Sequence, residues 1–452
     1  MEAFLRDASG SHYEDEVLVS LDPITCFDAD SLRWYRSLFA QKNPGHETEG
    51  QPDADFLEHF GLVIAHEGSP RPTRASILLF GTTAACNRAF SRQQVDFFRF
   101  VTRKEDCLPE TRWDDRIETL NEGNLIKSWR RIIEVWREHY HSSGRFELDA
   151  TTMERTGAPA DYLAFREAVL NLLIHQDYGD QTRKATIHAY TNTFEFWNPG
   201  ASFVCGDEFF QPGDKPVRNP KIRNMLTRVG IGEQANTGIR NMYAHQRNMG
   251  RVLPEIENDP ANHSFRLVLS KERSRSERQQ ALLDRLSVRL SDAQAAIFLH
   301  CWRREKVSLH EAQAAAGTGI AETHQALQNL ETQVLLRKVE NSQGAAVYRI
   351  ADHLREAHPV ADLLPETAVT PEVTPEVTPE VRRLIGVVQG EMARSEIMAA
   401  LGLRDEKHFR EQYQQVGTSL GFIEMTIPDK PQSSLQRYRL TGKAKAWLLA
   451  KK

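Results

Sequence analysis

Phe165-Arg-Glu-Ala-Val-Leu-Asn-Leu-Leu-Ile-His-Gln-Asp-Tyr178 carries three polar residues in step: Glu167, Asn171 and His175 recur every four positions. Residues four apart share one face of an α-helix, so the three form a single polar stripe. Between them lie Ala168, Val169, Leu170, Leu172, Leu173 and Ile174. A helix this apolar is expected to be buried, and a buried polar group costs free energy unless it is partnered. A carboxylate and an amide one turn apart suit a magnesium-bound phosphate chain. The amide oxygen can ligate the ion, and the carboxylate can orient or deprotonate a water. The same spacing also fits a buried helix with a hydrogen-bonded polar seam.

The residues that follow shift the balance. Lys184-Ala-Thr-Ile-His-Ala-Tyr-Thr-Asn192 and Thr193-Phe-Glu-Phe-Trp197 read as two alternating strands joined tightly around Asn192, and the second runs into Asn198-Pro199-Gly200. Arg218-Asn219-Pro220 comes next, then Gly230-Ile-Gly-Glu-Gln-Ala-Asn-Thr-Gly-Ile239. In this order the motifs resemble a divergent GHKL-type ATPase module of bacterial regulators. These are the proteins labelled RecG-like or AlbA/Schlafen-associated ATP-binding proteins.

The resemblance implies roles for ATP and Mg²⁺. Glu167 stands at the position of the general base, and Asn171 at that of the Mg²⁺ ligand. His175 and Asp177 complete the helix motif. Asn198 stands where related ATPases carry an adenine-reading Asp, and an Asn also offers a donor and an acceptor. Gly200 allows close approach of the backbone to the base or ribose. Thr237 and Gly238 correspond to the phosphate-side loop, where backbone N–H groups can cradle oxygens. Two departures matter: Gln176 replaces the Arg that usually follows the His, and Asn236 replaces the first Gly of the Gly-Thr-Gly loop. A side chain at Asn236 can crowd the phosphates, so ATP binding is expected, and weak hydrolysis is allowed rather than required.

At 452 residues the chain is expected to form about three domains. Hydrophobic content of 40% and charged content of 26% are those of a globular protein. The net charge of −5 gives no global basic field, so any DNA contact must come from a local patch. Cys26, Cys86, Cys107, Cys205 and Cys301 are scattered without a Cys-x-x-Cys pair, which argues against zinc on cysteine and against a disulfide framework. The expected compartment is the cytoplasm, with no membrane partner.

Residues 1–150 are read as a remnant of an AlbA-type domain plus an α/β middle region. Phe4 to Ser11 resembles the end of the DNA-binding domain that usually precedes this module. Asp28–Phe39 reads as a capped amphipathic helix, and Pro72–Gly81 as a loop entering a buried strand. Gln94–Val101 is a second strand, and Glu118–Tyr140 a long amphipathic helix. The ATP-binding module is assigned to 151–272, closing with the alternating strand His263–Ser270.

Two winged-helix domains are expected to follow. The first, 281–352, has helices at Ser291–Trp302, Ser308–Gly317 and Ala321–Glu331. Its wing strands are Leu335–Glu340 and Ala346–Ile350. The last of these helices carries no Lys or Arg. The Val-Thr-Pro-Glu repeat assigned to a 366–380 linker places a proline every four residues, which forbids a regular helix and favours an extended spacer. The second domain, 381–452, resembles the C-terminal winged helix of Fic-like and RecG-like regulators. Lys407 and Arg410 on its presumed recognition helix, with Lys430, Arg437 and Arg439 on its wing, suit contact with DNA phosphates.

The fold class expected is α/β (α+β), a GHKL-like α/β sandwich followed by two winged helices. The function expected is an ATP-binding, DNA-binding transcriptional regulator acting on double-stranded DNA, with a homodimer allowed. Two rivals remain: a RecG-like helicase-related protein, and a winged-helix adaptor with a degenerate pocket. The sequence has no Gly-x-x-x-x-Gly-Lys-Ser/Thr loop, which weighs against a P-loop motor.

Overall fold

The computed structural model describes residues 12–90, 95–108, 111–117, 123–140, 159–211, 213, 215–232, 238–275, 277–286, 288–304, 306–340, 345–357, 379–388, 390–403, 409–419, 422–426, 436–441 and 444. The fold is mixed α/β, with one large sheet and several small ones. Contacts divide the chain into two compact units, Met1–Leu363 and Leu364–Lys452.

The first unit is organised by a six-stranded sheet. Its strands are β3 (Val95–Arg99), β4 (Asp115–Ile117), β5 (Ala185–Ala189), β6 (Thr193–Pro199), β7 (Glu255–Asp259) and β8 (Ser264–Ser270), in the order β4-β3-β5-β6-β8-β7. Only the β3–β5 pair is parallel. Alternation is strict on β5, where Ala185, Ile187 and Ala189 are buried and Thr186 and His188 are half-exposed. The covered face packs under helices. Trp129, Ile132, Ile133 and Trp136 of the Leu125–Tyr140 helix share a core with Phe165, Phe194, Phe196 and Leu267. Among the described residues this core runs without a break from Leu18 to Leu269. Truncating one of its phenylalanines to Ala is expected to cost about 3–5 kcal/mol.

The N-terminal helices start where side-chain caps are available. Asp28 accepts from Ser31 N at 2.9 Å and opens α1 (Ala29–Lys42). A shorter helix, α2 (Asp53–His59), precedes the hairpin β1 (Val63–His66) and β2 (Ser69–Pro72). Arg74–Phe80, expected to be a strand, is a helix, α3, capped by Thr73, which accepts from Ser76 N. An unbroken apolar run does not distinguish a buried strand from a buried helix by periodicity. Here Thr73 supplies the N-cap preference that decides it. The sequence reading also lacked β1, β2 and the polar edge strand β7.

Helix α4 (Ala160–His175) holds the Glu167 stripe and packs on β6. Helix α5 (Pro220–Arg228) begins with proline at its first turn, and α6 (Gly238–Asn248) packs alongside α4. The first turn of α5 is closed from a distance in sequence. Glu14, fully buried, accepts from Lys221 N and from Ile222 N at 3.0 Å.

Beyond the sheet a small body has its own core around Ile297, Phe298, Trp302 and Leu327. Its helices are α7 (Asp292–Arg303), α8 (Leu309–Ala316) and α9 (Ile320–Thr332). A three-stranded sheet of β10 (Leu336–Glu340), β11 (Ala346–Ile350) and β9 (Val307–Ser308) completes it. Ser291 and Ser308 cap α7 and α8, and Gly317 ends α8 in the left-handed region. The tip 341–344 and Phe4 to Ser11 lie outside the described residues, as does the repeat up to residue 378. Its last Pro379 and Glu380, expected in the 366–380 linker, instead open the helix Pro379–Val387, where a proline in the first turn needs no N–H partner.

The second unit repeats a similar order by itself. It has helices at Pro379–Val387 and Arg394–Leu401, a π-helical turn at Arg410–Gln414 and a short helix at Gln415–Ser419. Strands Met392–Ala393, Ile423–Met425 and Arg437–Leu440 form its sheet.

Burial raises the Glu14 carboxyl to about 7, against the opposing pull of the two backbone N–H groups it accepts from. A raised carboxyl stabilises the fold below its unfolded value, and that contribution is lost as pH rises through about 7. Glu14→Gln keeps an acceptor for α5 and removes the titration. Denaturant unfolding at pH 5 and pH 8 is expected to show wild type losing about 3 kcal/mol relative to Glu14→Gln. Parallel pH profiles would refute this.

Candidate functional site

Helix α4 places its polar stripe along one wall of a cavity of about 90 Å³. Glu167, Asn171 and His175 line it, together with Leu170 and Ile174. The sheet contributes Phe265 and Leu267, α5 contributes Arg223 and Thr227, and the start of α6 contributes Gly238 and Ile239. A strap after β6 closes the remaining side with Ser202, Val204, Phe209, Lys215, Pro216 and Val217.

Glu167 is buried, and Asn171 Nδ2 donates back to Glu167 O at 2.9 Å. That bond turns the amide so that its Oδ1 is the atom available to accept or to ligate. Gly238 meets this pair closely: a Cβ there would stand 2.3 Å from Glu167 Oε1 and 3.1 Å from Asn171 Nδ2. The first turn of α6 therefore packs directly against a carboxylate and an amide. The positive end of a helix favours negative charge at that place.

Positive charge gathers on the same cavity. Lys215 and Arg223 line it, and Lys215 Nζ is held by Phe209 O at 3.2 Å and Gln211 O at 2.9 Å. Burial pushes the Lys215 ammonium down. His175 is half-buried, and burial, with the guanidinium groups of Arg218 and Arg223, lowers it to about 4. The ring is neutral at pH 7, as expected beside a positive field.

Asp177, Asn198 and Gly200 do not line the cavity; they interlock beneath it. Asp177 N donates to Pro199 O at 2.8 Å, and the Asp177 carboxylate faces His263 Nε2 at 3.2 Å. Asn198 is buried, and its Nδ2 donates to Pro199 O at 3.1 Å and Gly200 O at 3.2 Å. Gly200 has φ +103°, and a Cβ there would lie within 3.0 Å of Arg218 Nε, Asp177 N and His175 O. Asn219 Nδ2 bridges Ile174 O at 3.1 Å and Gln176 O at 2.8 Å, carbonyls at the end of α4. Arg218 donates to Ala201 O at 2.9 Å and lies over the Phe203 ring.

Thr237 lies outside the described residues, as do Lys407 and Lys430. Arg410 is exposed on the π-helical turn. Arg437 and Arg439 are exposed on the last strand and already face carboxylates. Arg439 Nε meets Glu424 at 2.7 Å and its Nη1 meets Glu391 at 3.2 Å, while Arg437 meets Glu396 at 3.6 Å. Sequence reasoning missed Lys215, Arg223 and the strap. Arg223 stands in the helix opened by Arg218-Asn-Pro220, so that motif was the signal available.

The strap also touches the small body that follows. Asp207, in the Gly206–Phe209 turn, holds Ser308 Oγ and His310 Nδ1. Phe209 and Phe210 cluster with Tyr243 of α6 and Ala315 of α8. Arg247 Nη1, near the end of α6, donates to Ala314 O at 2.6 Å.

Residues 183–269 match the family HATPase_c_4, whose description reads "ATP-dependent DNA helicase recG C-terminal". The middle of the chain is related to that domain. The match covers strands β5 to β8 and the strap; β3, β4 and the helix with Glu167 and Asn171 lie before it. Residues 379–441 match the C-terminal domain of the Fic-like proteins, "Filamentation induced by cAMP protein Fic-like". Residues 2–96 match DUF8451, a domain of unknown function. No curated protein matches the chain. Among solved structures, the DIP2311 protein from Corynebacterium diphtheriae aligns with a TM-score of 0.47 and 15% identity, covering 97% of this chain and 72% of that one. A Fic family protein from Desulfovibrio desulfuricans G20 aligns with a TM-score of 0.14 and 21% identity, over 39% of this chain and 58% of that one. No helix among the described residues is long and apolar enough to cross a membrane.

Gly200→Ala sets a side chain into a left-handed backbone position already filled by neighbours. The expected loss is about 2–4 kcal/mol, combining strain and overpacking. Urea unfolding measures it, and a loss below about 1 kcal/mol would show that the seat yields.

Proposed function

We propose that this protein is an ATP-binding regulator that engages DNA. In this reading Mg·ATP binds at the Glu167–Asn171 cavity, and the C-terminal bodies, taken as winged helices, contact double-stranded DNA near a promoter. One observation carries the nucleotide part: a buried carboxylate and an amide one turn apart face a helix N-terminus, flanked by Lys215, Arg223 and a neutral His175. The relation of residues 183–269 to a RecG-type domain supports it.

Bound Mg·ATP supplies a polyphosphate and a hard cation that takes oxygen ligands. Asn171 Oδ1 would hold the ion and Glu167 would orient a water. The first turn of α6 at Gly238, with Thr237 before it, would face the phosphates, and Lys215 and Arg223 would offset their charge. Asn198 and Gly200 shape the floor toward the base, with Asp177 pinning that floor to the sheet. Arg410, Arg437 and Arg439, with Lys407 and Lys430, are the phosphate contacts proposed for DNA. There the phosphates would compete with Glu391, Glu396 and Glu424.

The cavity of about 90 Å³ is well under the roughly 300 Å³ at which small-molecule pockets begin. Admitting a nucleotide therefore displaces the strap or the start of α6. The strap is tied to the small body through Asp207 to Ser308 and His310, and α6 is tied to it at its far end through Arg247 to Ala314. These ties are how nucleotide occupancy would bias that body, provided ATP favours one of two arrangements.

Calorimetry on the full chain is expected to show Mg²⁺-dependent ATP binding that Asn171→Ala weakens at least about tenfold, a loss of roughly 1.4 kcal/mol. No binding by wild type would sink the reading. Asp207→Ala frees the strap and is expected to tighten ATP binding about fivefold, from hydrogen bonds worth about 1 kcal/mol that no longer hold it closed. An affinity unchanged within twofold would sever the strap from the site.

A further inference from the structure

Away from that cavity, the loop between α1 and α2 gathers a different set of side chains. A ring nitrogen of His46, a ring nitrogen of His59 and a carboxylate oxygen of Glu47 all lie within 4.8 Å of one another. We propose that these three residues form a divalent transition-metal site, suited to Zn²⁺, that staples this loop to α2. Two histidines and a glutamate are a zinc ligand set that leaves a fourth, open position for water.

The site is built before any metal arrives. The His46 ring packs edge-on to Phe39 at 5.0 Å and stacked near Phe60 at 5.9 Å. The His59 ring sits edge-on to the same Phe60 at 4.7 Å, and the two imidazoles stand 5.5 Å apart. His59 Nε2 already faces Glu47 Oε1 at 3.5 Å. The loop that delivers His46 and Glu47 turns at Gly45 and Gly50, both with φ +75°. It is further held by Gln51 Nε2 donating to Glu47 O at 2.8 Å and Gly45 N donating to Glu49 Oε2 at 3.0 Å.

Behind His46 stands the partner that a metal-bound histidine requires. Thr48 is buried, and its Oγ1 lies 3.0 Å from His46 Nδ1. Thr48 N donates to Nδ1 at 3.2 Å, so without metal Nδ1 is an acceptor. Both contacts fall on Nδ1 and leave Nε2 as the ligand atom. Metal on Nε2 requires the ring proton on Nδ1, so binding exchanges the contact from Thr48 N for donation from Nδ1 to Thr48 Oγ1, which then orients the ring. Nitrogen and carboxylate donors favour Zn²⁺, Ni²⁺ or Cu²⁺ over Mg²⁺ or Ca²⁺. The stapled loop also reaches α5: Asn43 Nδ2 donates to Arg228 O at 3.0 Å, and the Arg228 guanidinium lies over Phe60 at 4.9 Å.

The test uses the full chain after chelation, titrated with Zn²⁺ alone and, for spectroscopy, Co²⁺. One Zn²⁺ per chain is expected, with Tm raised by about 2–4 °C at saturating metal. Glu47→Gln, at a solvent-facing position that leaves the fold intact, and His59→Ala are each expected to weaken binding roughly tenfold or more. The Co²⁺ spectrum should lack a thiolate charge-transfer band. Absence of stoichiometric binding, binding that survives both substitutions, or a thiolate band pointing to the cysteines would each overturn the proposal.

Discussion

The end of helix α4 is where the rest of the site is decided. A helix leaves its last carbonyls without partners, and here Asn219 accommodates two acceptors from that stretch, Ile174 O and Gln176 O. The same short segment receives Gly200 so closely that no side chain fits. Three stretches far apart in sequence therefore meet at one hydrogen-bonded seat. The seat fixes the rotation of α4, and with it the direction in which Glu167 and Asn171 point. Glu14 ties the N-terminal segment into the same arrangement by closing the first turn of α5.

Electrostatics then separates two kinds of polar residue. Asp177 and Asn198 are bonded to His263 and to backbone, contacts that hold the local shape. Glu167 and Asn171 stand at a cavity that Lys215 and Arg223 also line. Burial first, and then the guanidinium groups of Arg218 and Arg223, depress His175 to about 4. The strap and the start of α6 both line the cavity; the strap is bonded to the body that follows through Asp207, and α6 at its far end through Arg247. If a ligand opens the cavity, the bonds to that body couple the two in energy whether or not the ligand touches both.

Much of this was legible in the chain. The period-four stripe placed α4, and alternation placed β5, β6 and β8. Ser291, Ser308 and Gly317 marked the ends of α7 and α8 through their capping chemistry. Arg74–Phe80 was misread because six buried residues in a row, Ala75 to Phe80, carry no period, and only Thr73 distinguishes helix from strand. The hairpin Val63–Pro72 was missed because its second strand reads Ser-Pro-Arg-Pro, with prolines that an edge strand tolerates but that suggest a loop.

For the candidate site, sequence fixed the types and the spacing: a carboxylate and an amide one turn apart, glycines where backbones approach, and turns rich in Asn and Pro. These follow from local geometry, which is written in neighbouring residues. Tertiary structure alone decided which of those residues face the cavity and which serve as its foundation. It also brought in Lys215 and Arg223 and set His46 against His59. Side chains separated in sequence have no local rule that relates them; only the packing of the core determines which of them meet.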